Sequence, residues 1–321
     1  MPERPEDEKA PLFPAPDYGN PDPTPEWLRI DWREHLHRVD LPGAEVNYAE
    51  IGEGEPILFV HGLAGCWRNW LENLPYFGRE HRAIALDLPG FGDSPMPSWE
   101  ISMANYGRLI HDFCERLGIE RVAALVGNSM GGFVSTEAVI DEPERFDRLV
   151  LVSAAGISFA EVQGRRAEAA AQMAKAVTPF LTGDHRFFIT RPLGRKFAFG
   201  RVFRNPNKLR PELLQEQTRP GLQAPGFYDA LVSIGGYDTR ERLPEIEIPT
   251  LITWGLNDQI VPVEAALGYH RLIPRSRLEI FERTGHLPQL ERPTRWNPLV
   301  EEFIESSRPL EAAGRDDTAI G

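Results

Sequence analysis

The chain of 321 residues is 41% hydrophobic, 26% charged and 10% aromatic, which excludes fibrous and wholly disordered classes and leaves either one large domain or two ordinary ones. Thirty-five Lys and Arg stand against 48 Asp and Glu, a formal net charge of -13, so the field of the molecule repels nucleic acid and anionic membrane, and nonspecific phosphate binding is a poor reading. Cys66 and Cys114, the only cysteines, allow at most one disulfide; both are expected to be reduced, buried thiols.

The first 26 residues hold seven acidic and two basic side chains with frequent Pro. They lack the positive start, apolar run and small-residue cleavage site of a signal peptide. Residues 1–34 are expected to be a flexible acidic leader, and the protein to be cytoplasmic, without membrane insertion, since no run of about 18 apolar residues is present.

Residues 35–54 then predict two strands joined by a Pro-Gly turn, and PILFVHG (56–62) a strand buried on both faces. Cys66 to Phe77 has apolar residues at helical spacing, HRAIALDLPG (81–90) predicts another buried strand, and Asn105 to Leu117 an amphipathic helix. RVAALVGNS (121–129) predicts a strand that runs directly into a helix from GGFVSTEAVIDEP, and DRLVLVSAAG (147–156) the next strand. This alternation argues for βαβ units in a mostly parallel central sheet with helices on both faces. Strand patterns stop between 157 and 240 and resume with PTLITWGLND (249–258), SRLEIFERTGH (276–286) and a closing helix over Thr294 to Ser306. The core is therefore assigned to 35–156 and 241–306, an inserted helical lid to 157–240, and a loose tail to 307–321. Residues 158–240 carry 13 Lys and Arg against seven acids, together with Phe180, Phe187, Phe188, Phe197, Phe199 and Phe203. Those aromatics either pack the lid on the core or line a greasy entrance with a positive rim.

Gly127-Asn128-Ser129-Met130-Gly131 matches the G-x-S-x-G nucleophile elbow, in the strand-to-helix setting where that pattern has a mechanical meaning. Glycine at 127 and 131 leaves room for neighbouring backbone, and the turn exposes Ser129 at the carboxyl edge of the sheet. A serine hydroxyl needs a base, and the base needs a carboxylate to orient it. Asp258 ends one later strand and His286 follows another, in the chain order Ser, Asp, His. His35, His37, His81, His111, His185 and His270 are read as solvated, and Asp87 and Asp93, the rival acids, as structural. His61-Gly62-Leu63-Ala64-Gly65 follows a strand at the same edge; the backbone N–H of Leu63 and of Met130 are the expected oxyanion hole. No metal-ligand spacing, Walker loop or dinucleotide fingerprint is found, so no cofactor and no metal is expected.

HGLAG, DLPGFGDS, GNSMGG, WGLNDQIVP and GHLPQLERP stand in the order and spacing seen in the α/β-hydrolase superfamily, which the chain resembles over residues 40 to 305. The resemblance implies the α/β-hydrolase fold and a triad of Ser129, His286 and Asp258. GNSMGG is similar to the elbow of meta-cleavage-product hydrolases, which split carbon–carbon bonds. Those enzymes usually have a longer glycine-rich oxyanion turn and a Trp after the catalytic His, where this chain has Leu-Ala-Gly-Cys-Trp and Gly-His-Leu-Pro. Haloalkane dehalogenases and epoxide hydrolases carry Asp at the nucleophile position, which Ser129 does not match. The expected function is a serine hydrolase, a carboxylesterase, that cleaves a carboxylic ester or lactone of a hydrophobic or aromatic acyl compound through an acyl-enzyme. Carbon–carbon hydrolysis, perhydrolysis and a non-catalytic ligand-binding protein on the same scaffold are the alternatives.

Overall fold

The computed structural model describes residues 17–157, 189–218, 224–235 and 238–306. Eight strands form one sheet: β1 (Leu36–Leu41), β2 (Ala44–Ile51), β3 (Pro56–Val60), β4 (Arg82–Leu86), β5 (Ala124–Asn128), β6 (Leu149–Val152), β7 (Thr250–Gly255) and β8 (Ser276–Phe281). Their order is β1-β2-β4-β3-β5-β6-β7-β8, antiparallel between β1, β2 and β4 and parallel from β4 onward. Every residue of β5, β6 and β7 is buried, as apolar runs flanked by helices on both faces require. Six parallel strands thereby end on one edge, and their carboxyl-end loops share it, the usual place for a binding crevice in such sheets.

The described α-helices are α1 (Leu74–Phe77), α2 (Met103–Arg116), α3 (Met130–Asp141), α4 (Pro192–Phe199), α5 (Pro211–Thr218), α6 (Phe227–Gly235), α7 (Glu264–Leu272), α8 (Pro288–Glu291) and α9 (Pro293–Glu305), together with short 3-10 turns. The Ser102 hydroxyl caps α2 by accepting the Asn105 N–H, so this helix starts two residues before the expected Asn105. The helix expected from Cys66 to Phe77 is two short pieces, a 3-10 turn at Trp67–Trp70 and α1. Pro75 has no N–H to donate to the carbonyl four residues back, so a helical ladder cannot run on through this point, whereas a proline is tolerated in the first turn of α1.

Two expectations need correction. The leader packs from residue 17 onward: Trp27 is 4% exposed, and its Nε1–H donates to Glu72 Oε1 at 2.9 Å while Asn20 Nδ2–H donates to Oε2 at 2.7 Å. Removing a large apolar ring from water favours folding by about 2 to 3 kcal/mol, which together with these hydrogen bonds offsets part of the entropy lost in ordering a Pro-rich segment that composition alone marks as flexible. His81 and His111 are buried, not solvated; His111 lies on the inward face of α2 with its ring 5.8 Å from that of Phe146. Both cysteines are free and buried, and burial pushes each thiol up to about 12. The tail at 307–321 and residues 158–188 of the segment before β7 lie outside the described residues. Within that segment the described elements are helical: α4, α5, α6 and a 3-10 turn at Pro206–Lys208.

Candidate active site

Ser129 sits between the end of β5 and the start of α3 with φ 53° and ψ -115°, backbone angles costly for any residue with a Cβ. The strain is held from several sides. Ser129 N–H donates to Val152 O at 2.9 Å, and its carbonyl accepts from Gly132 N–H at 3.0 Å and Ala155 N–H at 2.9 Å. Close approach explains the glycines: a Cβ at Gly127 would lie 2.3 Å from Gly131 O, and one at Gly131 would lie 2.2 Å from Val60 O. β3, β5 and α3 thus meet with no side chain between them, which turns the serine outward at the sheet edge.

His286 and Asp258 come together on the adjacent ends of β7 and β8. His286 Nδ1 lies 2.7 Å from Asp258 Oδ2, with side chains 8% and 0% exposed. The other oxygen, Oδ1, accepts the N–H of Ile260 at 2.8 Å and of Val261 at 3.0 Å. Each carboxylate oxygen is therefore committed, so the acceptor facing the imidazole cannot swing away. An Nδ1–H held by a carboxylate leaves the lone pair on Nε2, the nitrogen a base would use. The backbone of the His286 loop is packed just as closely: a Cβ at Gly255 would lie 1.9 Å from Gly285 O.

The turn after β3 is organised by His61, which is fully buried. Its Nε2 accepts the Leu88 N–H at 3.0 Å, so Nδ1 carries the proton and donates to Gly62 O at 2.7 Å. Gly65 N–H also donates to Gly62 O, at 3.0 Å. With the Gly62 carbonyl drawn to one side, the trans peptide directs the Leu63 N–H to the other. Gly62 itself is against the elbow, since a Cβ there would lie 3.0 Å from Ser129 Cβ. Met130 opens α3, where helical N–H groups have no partner within the helix.

Burial lowers His61 from 6.5 to about 4, so it is neutral at pH 7. Its unfolded pKa lies above its folded one, so its contribution to stability is complete above pH 6.5 and is lost as pH falls toward 4. That loss amounts to up to about 3 kcal/mol. In denaturant unfolding, the stability difference between wild type and His61→Gln is expected to shrink by about this amount from pH 7 to pH 4. A difference independent of pH would show that His61 is not held neutral.

Asp87, one of the rival acids, is buried and organises its own loop. Its Oδ1 accepts Trp67 N–H at 2.7 Å, and its Oδ2 accepts Asn47 Nδ2–H at 2.8 Å and Asp93 N–H at 2.9 Å. Burial raises it to about 6 against those donors. Asp93 is exposed, 4.0 Å from Arg68. Neither lies on the strand ends that carry Asp258 and His286.

Residues 55–293 match the family model of the alpha/beta hydrolase fold. The chain belongs to the α/β-hydrolase family. Similar curated proteins include the 2-hydroxy-6-oxo-2,4-heptadienoate hydrolase of Pseudomonas putida, 31% identical over 82% of this chain and 93% of that protein. The 2-hydroxy-6-oxo-6-phenylhexa-2,4-dienoate hydrolase of Comamonas testosteroni is 29% identical over 84% of this chain and 94% of that one. Among solved structures, a thermophilic esterase from Thermogutta terrifontis superposes with a TM-score of 0.70 at 25% identity, covering 84% of this chain and 98% of its own.

In this α/β-hydrolase the described aromatics of the segment before β7 divide. Phe199 and Phe203 are buried with Leu287 and Leu290 in the core on one face of the sheet, whereas Phe197 is 75% exposed. Phe180, Phe187 and Phe188 lie outside the described residues. Arg191, Lys196, Arg201, Arg204 and Lys208 are exposed. Among the described residues no helix is long and apolar enough to cross a membrane, and no three His, Cys, Asp or Glu side chains are grouped to hold a metal.

Two residues that support the site stand inside the quoted motifs without their roles being legible there. His61 opens HGLAG, where a histidine at the end of an apolar run reads as part of the strand, and Glu291 lies in GHLPQLERP as one acid among 48. Only the fold shows that Glu291 is completely buried beneath Gly285.

Proposed function

We propose that this α/β-hydrolase is a serine hydrolase that cleaves a carboxylic ester or lactone through an acyl-enzyme. The observation that carries this reading is the shielded His286–Asp258 pair on the same sheet edge as the strained Ser129 elbow. In this reading His286 Nε2 takes the Ser129 proton as Oγ attacks the carbonyl carbon. The N–H groups of Leu63 and Met130 hold the resulting oxyanion, His286 returns the proton to the departing alcohol oxygen, and water repeats the sequence on the acyl group. Segment 157–240 would form the lid, with its exposed cations at the rim of the entrance and the aromatic or aliphatic acyl portion of a small-molecule substrate beneath it.

The second reading, hydrolysis of a carbon–carbon bond in a dienoic ketone, is favoured by the two curated relatives named above. Against it stand the short HGLAG turn and Leu287 after His286, whose side chain is buried among Leu290 and Phe203. Both readings use the same three side chains and differ in the leaving group. Purified enzyme should hydrolyse short nitrophenyl esters with a kcat/KM at least about tenfold above that for loss of the yellow chromophore of a 2-hydroxy-6-oxo-dienoate. The reverse order would replace the ester reading by the second.

A further inference from the structure

The loop that carries His286 leaves the last strand of the sheet, so β8 gives it a strand neighbour on one side only. Its other side is closed by chain from two distant places. His286 N–H donates to Val202 O at 2.7 Å, and Gly285 is so tightly covered that a Cβ there would lie 2.5 Å from Val202 O and 2.9 Å from Arg204 N. The carboxylate of Glu291 ties these parts together. Oε1 accepts Gly285 N–H at 2.8 Å, and Oε2 accepts Arg204 N–H at 2.8 Å and the phenolic hydrogen of Tyr18.

Tyr18 comes from the leader and completes the assembly. Its oxygen accepts the Asn205 N–H at 2.8 Å while its O–H donates to Glu291, so one hydroxyl bridges the covering segment and the carboxylate. Gly19 N–H donates to the Glu291 main-chain carbonyl at 2.7 Å. Arg292 grips the same loop from the adjacent position. Its Nε–H donates to Thr284 Oγ1 at 3.0 Å and Nη2–H to Glu282 O at 2.7 Å, its Nη1 pairs with the Asp17 carboxylate, and its guanidinium lies 5.2 Å over the Tyr18 ring. Two buried polar side chains, Glu291 and Arg292, therefore connect residues 17–19 to Glu282, Thr284 and Gly285 of loop 282–286.

We propose that the N-terminal segment around Tyr18 is a strap that positions the His286 imidazole through Glu291. Neither residue touches the reacting atoms; they set the backbone from which the ring projects. The role rests on the reading of His286 as the general base. A carboxylate that holds three donors at once responds as a unit: removing the Tyr18 hydroxyl leaves Asn205 N–H without its acceptor and one Glu291 oxygen short of a donor, and the loop relaxes toward the missing side. Misplacing a base by a fraction of an ångström slows proton transfer more than it weakens substrate binding.

The test uses full-length wild type, Tyr18→Phe, Glu291→Gln and the double variant. For Tyr18→Phe we expect kcat on a nitrophenyl ester to fall by about tenfold with KM changed less than about twofold. The double variant should be no slower than Glu291→Gln alone, because both changes disable one device. A second readout needs no substrate: the downfield NMR resonance of the His286 Nδ1 proton, held by Asp258, should broaden or move upfield in Tyr18→Phe. An unaltered resonance, a Tyr18→Phe kcat within twofold of wild type, or losses that multiply in the double variant would each overturn the strap. If Glu291→Gln does not fold, the Tyr18→Phe pair of readouts decides alone. A wild type inert toward esters whose resonance still responds to Tyr18→Phe would retire the proposed activity and keep the strap.

Discussion

Replacing Ser129 by Ala is expected to lower kcat/KM toward nitrophenyl esters by about 10⁴- to 10⁶-fold, with the thermal midpoint within a few degrees of wild type. The size of the effect follows from covalent chemistry, since without Oγ no acyl-enzyme forms and only the oxyanion donors and substrate binding still act. Stability should be nearly unchanged because the strain at φ 53° belongs to any residue with a Cβ, and the hydrogen bonds that hold the elbow are made by main-chain atoms of residue 129. Steady-state assays and a thermal melt of the same preparation check both halves. A fluorophosphonate should label wild type at Ser129 and leave the variant untouched. Ester turnover that survives in Ser129→Ala would end the serine-hydrolase reading, and a wild type that resists the probe would favour a binding protein on the same scaffold.

For Asp258→Asn a loss of about 10⁴-fold in kcat is expected. The reason is a tautomer. Oδ1 is held by the N–H groups of Ile260 and Val261, so an asparagine must keep its carbonyl oxygen there and turn its NH₂ toward His286 Nδ1. An NH₂ group cannot accept the Nδ1–H. The imidazole must move its proton to Nε2, and the nitrogen that should receive the Ser129 proton is then already protonated. Raising the pH would not restore activity, since the defect is not a shifted titration but a wrong neutral form. Asp258→Ala is expected to lose activity as well, but for a different reason, the loss of orientation, and the two variants can be told apart by the Nδ1 proton resonance. Asp258→Asn with more than a tenth of wild-type kcat would show that the acid is supplied elsewhere, and Asp87 is poorly placed to do so, because its oxygens are taken by Trp67, Asn47 and Asp93.

The strands were legible because burial on both faces leaves a local trace. PILFV and LVLV are continuous apolar runs, and ALVGN and TLITWG are apolar apart from Asn128, Thr250 and Thr253, so the pattern alone shows that each must be covered above and below. The elbow was legible for a similar reason: glycines at 127 and 131 mark a backbone crossing that a Cβ would block. Asp258 and His286 could be assigned because both follow recognisable strands, although their 2.7 Å contact depends on β7 and β8 being neighbours in the sheet.

What composition and pattern determined, then, is which segments become strands and helices and which strand ends carry reactive side chains, since those depend on near neighbours in the chain. Tertiary structure alone decided that His81, His111 and His61 are buried and that an acidic, Pro-rich leader is fastened at Tyr18 and Trp27. It alone decided that one of 48 acids sits beneath the histidine loop. A polar residue carries no mark of its partners when they lie 200 or more positions away; Tyr18 and Glu291 are 273 residues apart. Their meeting depends on how the sheet edge, the segment after β6 and the leader are stacked, a long-range arrangement that no window of local sequence encodes.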